Sequence, residues 1–213
     1  MDPDDERRGA PGPTAVIELR QYEMRPGGRD VLTELFERAL VAGQEREGMR
    51  ILGQFRDADR PQRFVWIRGF AGMEQRRGAL ERFYTGAVWA AHREEANATM
   101  IDVSNVLLLR PCGSTFLDRG TPSGSAGSVI VVTVRPASDP EPAAVAETVG
   151  ADMLGRFETE PSENTYPRLP IRSDDVRVDL RRFASAADAS PYVASLHDVE
   201  HLVIHPTPSS WLR

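Results

Sequence analysis

Residues 15–24, AVIELRQYEM, alternate with a period of two. Ile17, Leu19 and Gln21 fall on one face, and Glu18, Arg20 and Tyr22 on the other, the pattern of a strand. RPGGRD breaks it, and from Asp30 the period lengthens. VLTELFERALVA sets Val31, Leu32, Leu35, Phe36, Ala39 and Leu40 on one helical stripe. Strands follow at 49–56 (MRILGQFR) and 64–70 (FVWIRGF), the second with Phe64, Trp66, Arg68 and Phe70 on one face. Residues 74–98 read as a second helix with a break at Thr85-Gly86, and 103–110 as a fourth strand. The order β-α-β-β-α-β is that of a ferredoxin-like unit.

The pattern then returns. VLLLRPCGSTFL (106–117) aligns without gaps on HLVIHPTPSSWL (201–212), offset by 95 residues. Leu107 matches Leu202, Pro111 matches Pro206, Ser114 matches Ser209 and Leu117 matches Leu212. Proline cannot donate to a sheet ladder, so each block reads as a strand running to its end. Leu154-Gly155 and Phe157 answer Leu52-Gly53 and Phe55, and Phe183 answers Phe70. Strands are expected at 128–134, 153–160, 175–183 and 200–205, with weak helices at 140–150 and 186–196. The division is a disordered tail (1–14), a first repeat (15–111), a Gly/Ser/Pro-rich linker (112–127) and a second, degenerate repeat (128–213). Each sheet has an open apolar face that must be buried. The arrangement expected is an α+β protein of two fused ferredoxin-like (βαββαβ) repeats, sheet packed on sheet, helices outside.

Composition narrows the chemistry. The 213 residues are 40% hydrophobic, enough for a packed core. A net charge of −6 argues against nucleic acid. All 26 basic residues are arginine, so lysine Schiff-base and pyridoxal chemistry are excluded. Cys112 is the single cysteine, which rules out an internal disulfide and fits a cytoplasmic location. The polar N-terminus is not a signal peptide, and no run approaches a membrane span of about 20 apolar residues. No dinucleotide loop, P-loop, zinc-protease helix or nucleophile elbow is present.

Candidate chemistry gathers on the polar face of the first strand. Glu18, Arg20 and Tyr22 share it, and Arg68 reaches it from a neighbouring strand. Arginine would hold a carboxylate or enolate there, and Tyr22 would act as acid or hydrogen-bond donor. The alternative is a structural ion pair buried between the two halves. His92, three residues after Trp89, is a candidate base on the second helix, although HREE reads as a solvated face. His201 and His205 lie about 13 Å apart on a strand, too far for one ion, so no metal is expected. In NTYPRLPIR (164–172) two prolines stiffen a loop carrying Tyr166, Arg168 and Arg172. That loop either caps a pocket or covers a sheet edge.

VIELRQYEMRPG (16–27), FVWIRGF, the arginine-rich helix with Trp89 and the terminal LLLRP together resemble NIPSNAP-family domains. The second half is similar to the degenerate second repeat of bacterial relatives. The resemblance implies the dimeric α/β-barrel fold, here as a pseudo-dimer within one chain. Its superfamily includes small monooxygenases, polyketide cyclases, muconolactone isomerases and haem enzymes. The function so implied is cofactor-independent cyclisation, isomerisation or oxygenation of a hydrophobic polyketide-like or aromatic metabolite in biosynthesis. Tyr22, Arg20 and His92 would be catalytic, and Glu18, Trp66, Arg68, Tyr166 and Arg168 would bind substrate. Neither a nucleic acid nor a membrane is expected as partner, while a homodimer of the pseudo-dimer is. The rival is a non-catalytic NIPSNAP-type scaffold. A closed core beneath Tyr22 and Trp66 favours the scaffold, and a cavity of ~300 Å³ or more favours the enzyme.

Overall fold

The computed structural model describes residues 13–112, 127–139 and 150–213. The tail over 1–12, most of the linker and the helix expected at 140–150 lie outside the described residues.

The first half runs β1 (Val16–Met24), α1 (Gly28–Leu35), a π-helical turn (Phe36–Leu40), α2 (Val41–Arg46), β2 (Arg50–Asp57), β3 (Arg63–Phe70), α3 (Met73–Thr85), α4 (Ala87–Thr99) and β4 (Met100–Pro111). The second half runs β5 (Val129–Pro136), β6 (Asp152–Thr159), β7 (Val176–Phe183), α5 (Ala186–Ser195) and β8 (Glu200–Pro206). Gly27, at φ 77°, takes the left-handed turn that ends β1 and starts α1. The helix breaks at Gly86, where a Cβ would sit 2.7 Å from the Arg82 carbonyl oxygen. Val31, expected on the buried stripe of α1, is exposed.

The eight strands close into one antiparallel barrel in the order β1-β3-β2-β8-β5-β7-β6-β4. The expected sandwich of two sheets is thus corrected: the halves meet edge to edge. Closure leaves no free outer edge at the two seams, which a sandwich would expose.

The repeated block builds those seams. At β4–β6, Arg110 pairs with Glu158 and Pro111 with Phe157. At β2–β8, His205 pairs with Arg56 and Pro206 with Phe55. Past each proline the next amide closes the ladder: Cys112 N–H to the Arg156 carbonyl and Thr207 N–H to the Gln54 carbonyl, both 2.9 Å. Register shifts also coincide, between Ile51 and Gly53 in β2 and between Met153 and Gly155 in β6. These are bulges, which bend a strand as closure requires.

The barrel interior is apolar. Ile17, Leu19, Phe55, Leu109, Val132, Phe157, Leu180 and Leu212 fill it, leaving about 10 Å³ of space. Burial of each large side chain there stabilises the fold by roughly 1.5–3 kcal/mol. A second apolar layer lies outside the barrel, between the first-half sheet and its helices, around Leu32, Phe36, Leu40, Phe64, Trp66 and Phe83. The polar face of β1 points into this second layer.

Candidate functional site

Strand pairing fixes the site's centre. Glu18 stands opposite Arg68, and Arg20 opposite Trp66, in the β1–β3 ladder. Arg76 enters from α3, one turn before Ala79 and Leu80 on that helix's buried face. All four charged side chains are fully buried.

Glu18 organises them. Its Oε2 accepts from Arg20 Nη1 at 2.6 Å and Arg68 Nε at 2.8 Å, and Arg68 Nη2 lies 2.7 Å away. Its Oε1 accepts from Arg76 Nε at 2.7 Å. Burial alone would push the Glu18 carboxyl up, but the Arg68, Arg20 and Arg76 charges hold it well below the usual range. Among the described residues, three guanidinium cations against one carboxylate leave positive charge in excess. Arg76 feels that excess. Burial lowers its pKa, repulsion from Arg68 and Arg20 adds to this, and Glu18 offsets only part.

Beside this cluster, toward the helices, is a cavity of about 110 Å³. Trp66, Phe36, Phe83, Tyr84 and Trp89 give it aromatic walls, with Tyr22, Gln44 and Asn97 as polar lining. Trp66 packs edge-on against Phe36 at 4.9 Å and Tyr22 at 5.9 Å between ring centres. The Arg68 and Arg20 guanidiniums lie 4.9 and 5.5 Å from its ring, within cation–π range. Phe36 and Leu40, the ends of the π-helical turn, both line the cavity. Asn97 is exposed, so the cavity reaches the surface there.

Two cluster arginines hold the cavity's polar groups from behind. Arg20 Nε donates to the Tyr22 hydroxyl oxygen at 2.8 Å, and Arg68 Nη1 to Gln44 Oε1 at 2.9 Å. Burial raises the Tyr22 pKa and outweighs the opposing pull of Arg20, so Tyr22 is a protonated donor at neutral pH.

The loop between β6 and β7 covers the site. Tyr166 stacks on Tyr84 at 6.0 Å, Leu169 lines the cavity, and Thr165 Oγ1 donates to the Met73 carbonyl at 3.2 Å. Arg76 Nη1 ties the loop to the cluster through Asn164 Oδ1 at 3.0 Å. The loop also covers the β4 edge, with Glu160 N–H on the Leu108 carbonyl and Arg172 N–H on the Val106 carbonyl.

Of the residues singled out from sequence, the structure brings Glu18, Arg20, Tyr22, Trp66 and Arg68 together. The ion pair lies between sheet and helices and not between the halves, because β1's even-numbered residues face outward from the barrel. Tyr22 and Trp66 line the cavity, whereas Glu18, Arg20 and Arg68 stand behind it. Tyr166 sits behind Tyr84 and Arg168 is exposed. His92 is outside the site; its Nδ1 lies 3.8 Å from Glu95 on the surface of α4. Sequence reasoning missed Arg76, Gln44 and Leu169. Arg76 had a readable signal, a cation in helical register with Ala79, Leu80 and Phe83.

The second half holds a looser counterpart, in which Asp179 meets Arg135 at 3.3 Å, Arg181 at 3.4 Å and Arg156 at 3.8 Å. Val131 faces Arg181 and Thr133 faces Asp179, where the first half has Glu18–Arg68 and Arg20–Trp66. Arg181 turns instead to Asp179 Oδ2 at 3.4 Å and the Tyr192 hydroxyl at 3.0 Å.

The chain is thus a closed eight-stranded antiparallel barrel with outer helices, its site lying between the first-half sheet and those helices. Its likeness to solved structures extends over the whole chain. A candidate monooxygenase from Lactobacillus acidophilus NCFM aligns with a TM-score of 0.55 at 12% identity, covering 91% of this chain and 94% of that one. A chlorite dismutase variant from Candidatus Nitrospira defluvii, crystallised with cyanide, aligns at 0.50 and 10% identity, covering 98% and 96%. A NIPSNAP-like domain protein from Burkholderia xenovorans aligns at 0.43 and 23% identity, covering 46% of this chain and 86% of its own. No curated protein matches the sequence. Residues 17–114, just under half of the chain, match the NIPSNAP family model.

Proposed function

We propose that this protein is a small-molecule enzyme whose substrate, a single oxygenated ring, lies in the aromatic cavity with an oxygen on Tyr22. One observation carries the reading. The Tyr22 hydroxyl oxygen already accepts from Arg20, and its own hydrogen has no acceptor among the described residues while the ring lines the cavity. A donor so placed, and polarised by the guanidinium behind it, can stabilise charge developing on a substrate oxygen. That suits cofactor-independent isomerisation, cyclisation or oxygenation through an enolate or phenolate. Arg20 and Arg68 act as positioning residues.

Size limits the substrate. The cavity holds about 110 Å³, against ~150 Å³ for a cavity known to take benzene. A single ring is therefore the most the cavity admits, with some yielding of its walls, and a multi-ring polyketide does not fit without displacing the Leu169 loop. That volume is also below the ~300 Å³ of ordinary ligand pockets, which favours the rival reading of a non-catalytic scaffold. We also read each half as a ferredoxin-like repeat, the pair replacing a dimer. Supporting this is the shared strand order, β4-β1-β3-β2 and β8-β5-β7-β6.

Phenol and related single-ring compounds should quench the fluorescence of Trp66 and Trp89, which line the cavity. Tyr22→Phe should weaken that binding about tenfold, the loss of one good hydrogen bond. If no single-ring compound binds, or Tyr22→Phe binds all of them unchanged, the enzyme reading fails and the scaffold stands.

A further inference from the structure

The cavity's polar groups nearest the arginine cluster, Tyr22 and Gln44, have only donors left to offer. The Tyr22 hydroxyl oxygen and Gln44 Oε1 are both taken by arginines. What remains to them is the Tyr22 hydrogen and the Gln44 amide N–H groups, none of which finds an acceptor among the described residues. Trp66 lines the same cavity, and its buried indole N–H has no partner either. A buried donor without an acceptor costs about 1–3 kcal/mol. No carboxylate lines the cavity to satisfy them.

Charge points the same way. Among the described residues Glu18 is the sole carboxylate paired with Arg20, Arg68 and Arg76, so three buried cations share one counter-charge. Arg20 Nη2 and Arg76 Nη2 are buried without a hydrogen-bond partner. Proteins rarely bury unpaired charge, because desolvation costs several kcal/mol per ion. Arg20 and Arg68 stand one side chain behind the cavity, at hydrogen-bond distance from Tyr22 and Gln44. A negative charge in the cavity would therefore be within a few ångströms of both, in a medium of low effective dielectric.

We infer that the resting ligand is a single-ring anion, an arene carboxylate or phenolate, its charged oxygen accepting from Tyr22 and Gln44 with the arginine cluster behind and the Trp66 ring as a wall. This rests on the proposed ring site and adds the ligand's charge. The aromatic walls select the ring, and the donors with their positive field select the anion. A neutral isostere would bring its own N–H groups to a site that offers few acceptors.

The wild-type protein tests this with three probes at pH 7: benzoate, benzamide and inorganic phosphate, each titrated by calorimetry and by thermal shift. Benzoate should bind at least about tenfold more tightly than benzamide, and phosphate should be weaker than both. Equal affinity for benzoate and benzamide would overturn the inference and leave the ring site standing. Failure of both rings to bind at about 10 mM would overturn the ring site as well. Phosphate protecting as well as benzoate would show that the charge alone is bound, which also overturns it.

Discussion

Glu18→Gln keeps the shape of the side chain and deletes the one negative charge among three buried arginines. Removing one partner of a buried pair usually costs 3–5 kcal/mol. Here a single carboxylate serves three partners at 2.6–2.8 Å, so about 5 kcal/mol is expected. That is a large share of the roughly 5–15 kcal/mol that a folded protein has in total. Urea unfolding at pH 7, followed by tryptophan fluorescence and circular dichroism, measures it as a lower midpoint at similar slope. A variant already unfolded without urea would meet the prediction. The pH dependence gives a second reading. The folded-state pKa of Glu18 lies below its unfolded value of about 4.3. The stability it contributes is therefore fully present above that value and is lost as acid protonates it in the folded state. The gap between wild type and Glu18→Gln should be constant above about pH 5 and shrink below pH 4. Glu23→Gln is the control. Glu23 pairs with Arg63 at 2.9 Å but is partly exposed, so it should cost about 1 kcal/mol or less. A Glu18→Gln loss under about 1 kcal/mol, or a gap that persists in acid, would refute the charge accounting.

Other changes test other parts. Tyr22→Phe removes the acceptor of Arg20 Nε and should destabilise by about 1–3 kcal/mol; an unchanged urea midpoint would mean that this bond contributes nothing. Gly53→Ala, at the β2 bulge, places a Cβ against the Phe55 ring and 2.9 Å from Ser210 Oγ. It should lower stability by about 1–3 kcal/mol, and an unaltered thermal midpoint would show that the seam yields freely. Leu169→Ala removes a cavity wall contributed by the covering loop. Stopped-flow fluorescence should show benzoate entering and leaving severalfold faster, whereas unchanged rates would place the entrance elsewhere.

Much of this could be read from periodicity. The two-residue alternation of Val16–Met24 separated Ile17 and Leu19 from Glu18, Arg20 and Tyr22, and the barrel wall divides them in the same way. The repeated strand ends were visible as paired prolines, and both now lie at seams. Closure itself was not visible. Apolar alternation reports that a face is buried, and an edge-joined barrel buries it as well as a stacked sandwich does. The site was legible where chemistry and period coincided, on β1 and β3. Arg76 was obscured by the many arginines of its helix, and only its register with Leu80 and Phe83 marks it as inward. Gln44 and Leu169 carry no such mark. A glutamine near a helix end and a leucine in a proline-rich loop gain meaning only from what faces them. His92 misled by proximity to Trp89, because neighbours three apart on a helix need not share its buried edge.

The most direct test of the central claim is the indole N–H of Trp66, read in a nitrogen–proton correlation spectrum. With only three tryptophans in the chain, each indole signal can be assigned by single substitution. The Trp66 ring lines the cavity and its N–H has no acceptor among the described residues, so benzoate should move its signal in a saturable way. Trp211, packed at the barrel core, should stay still. A Trp66 signal unmoved while benzoate binds would contradict the account, because the ligand would then lie outside the cavity.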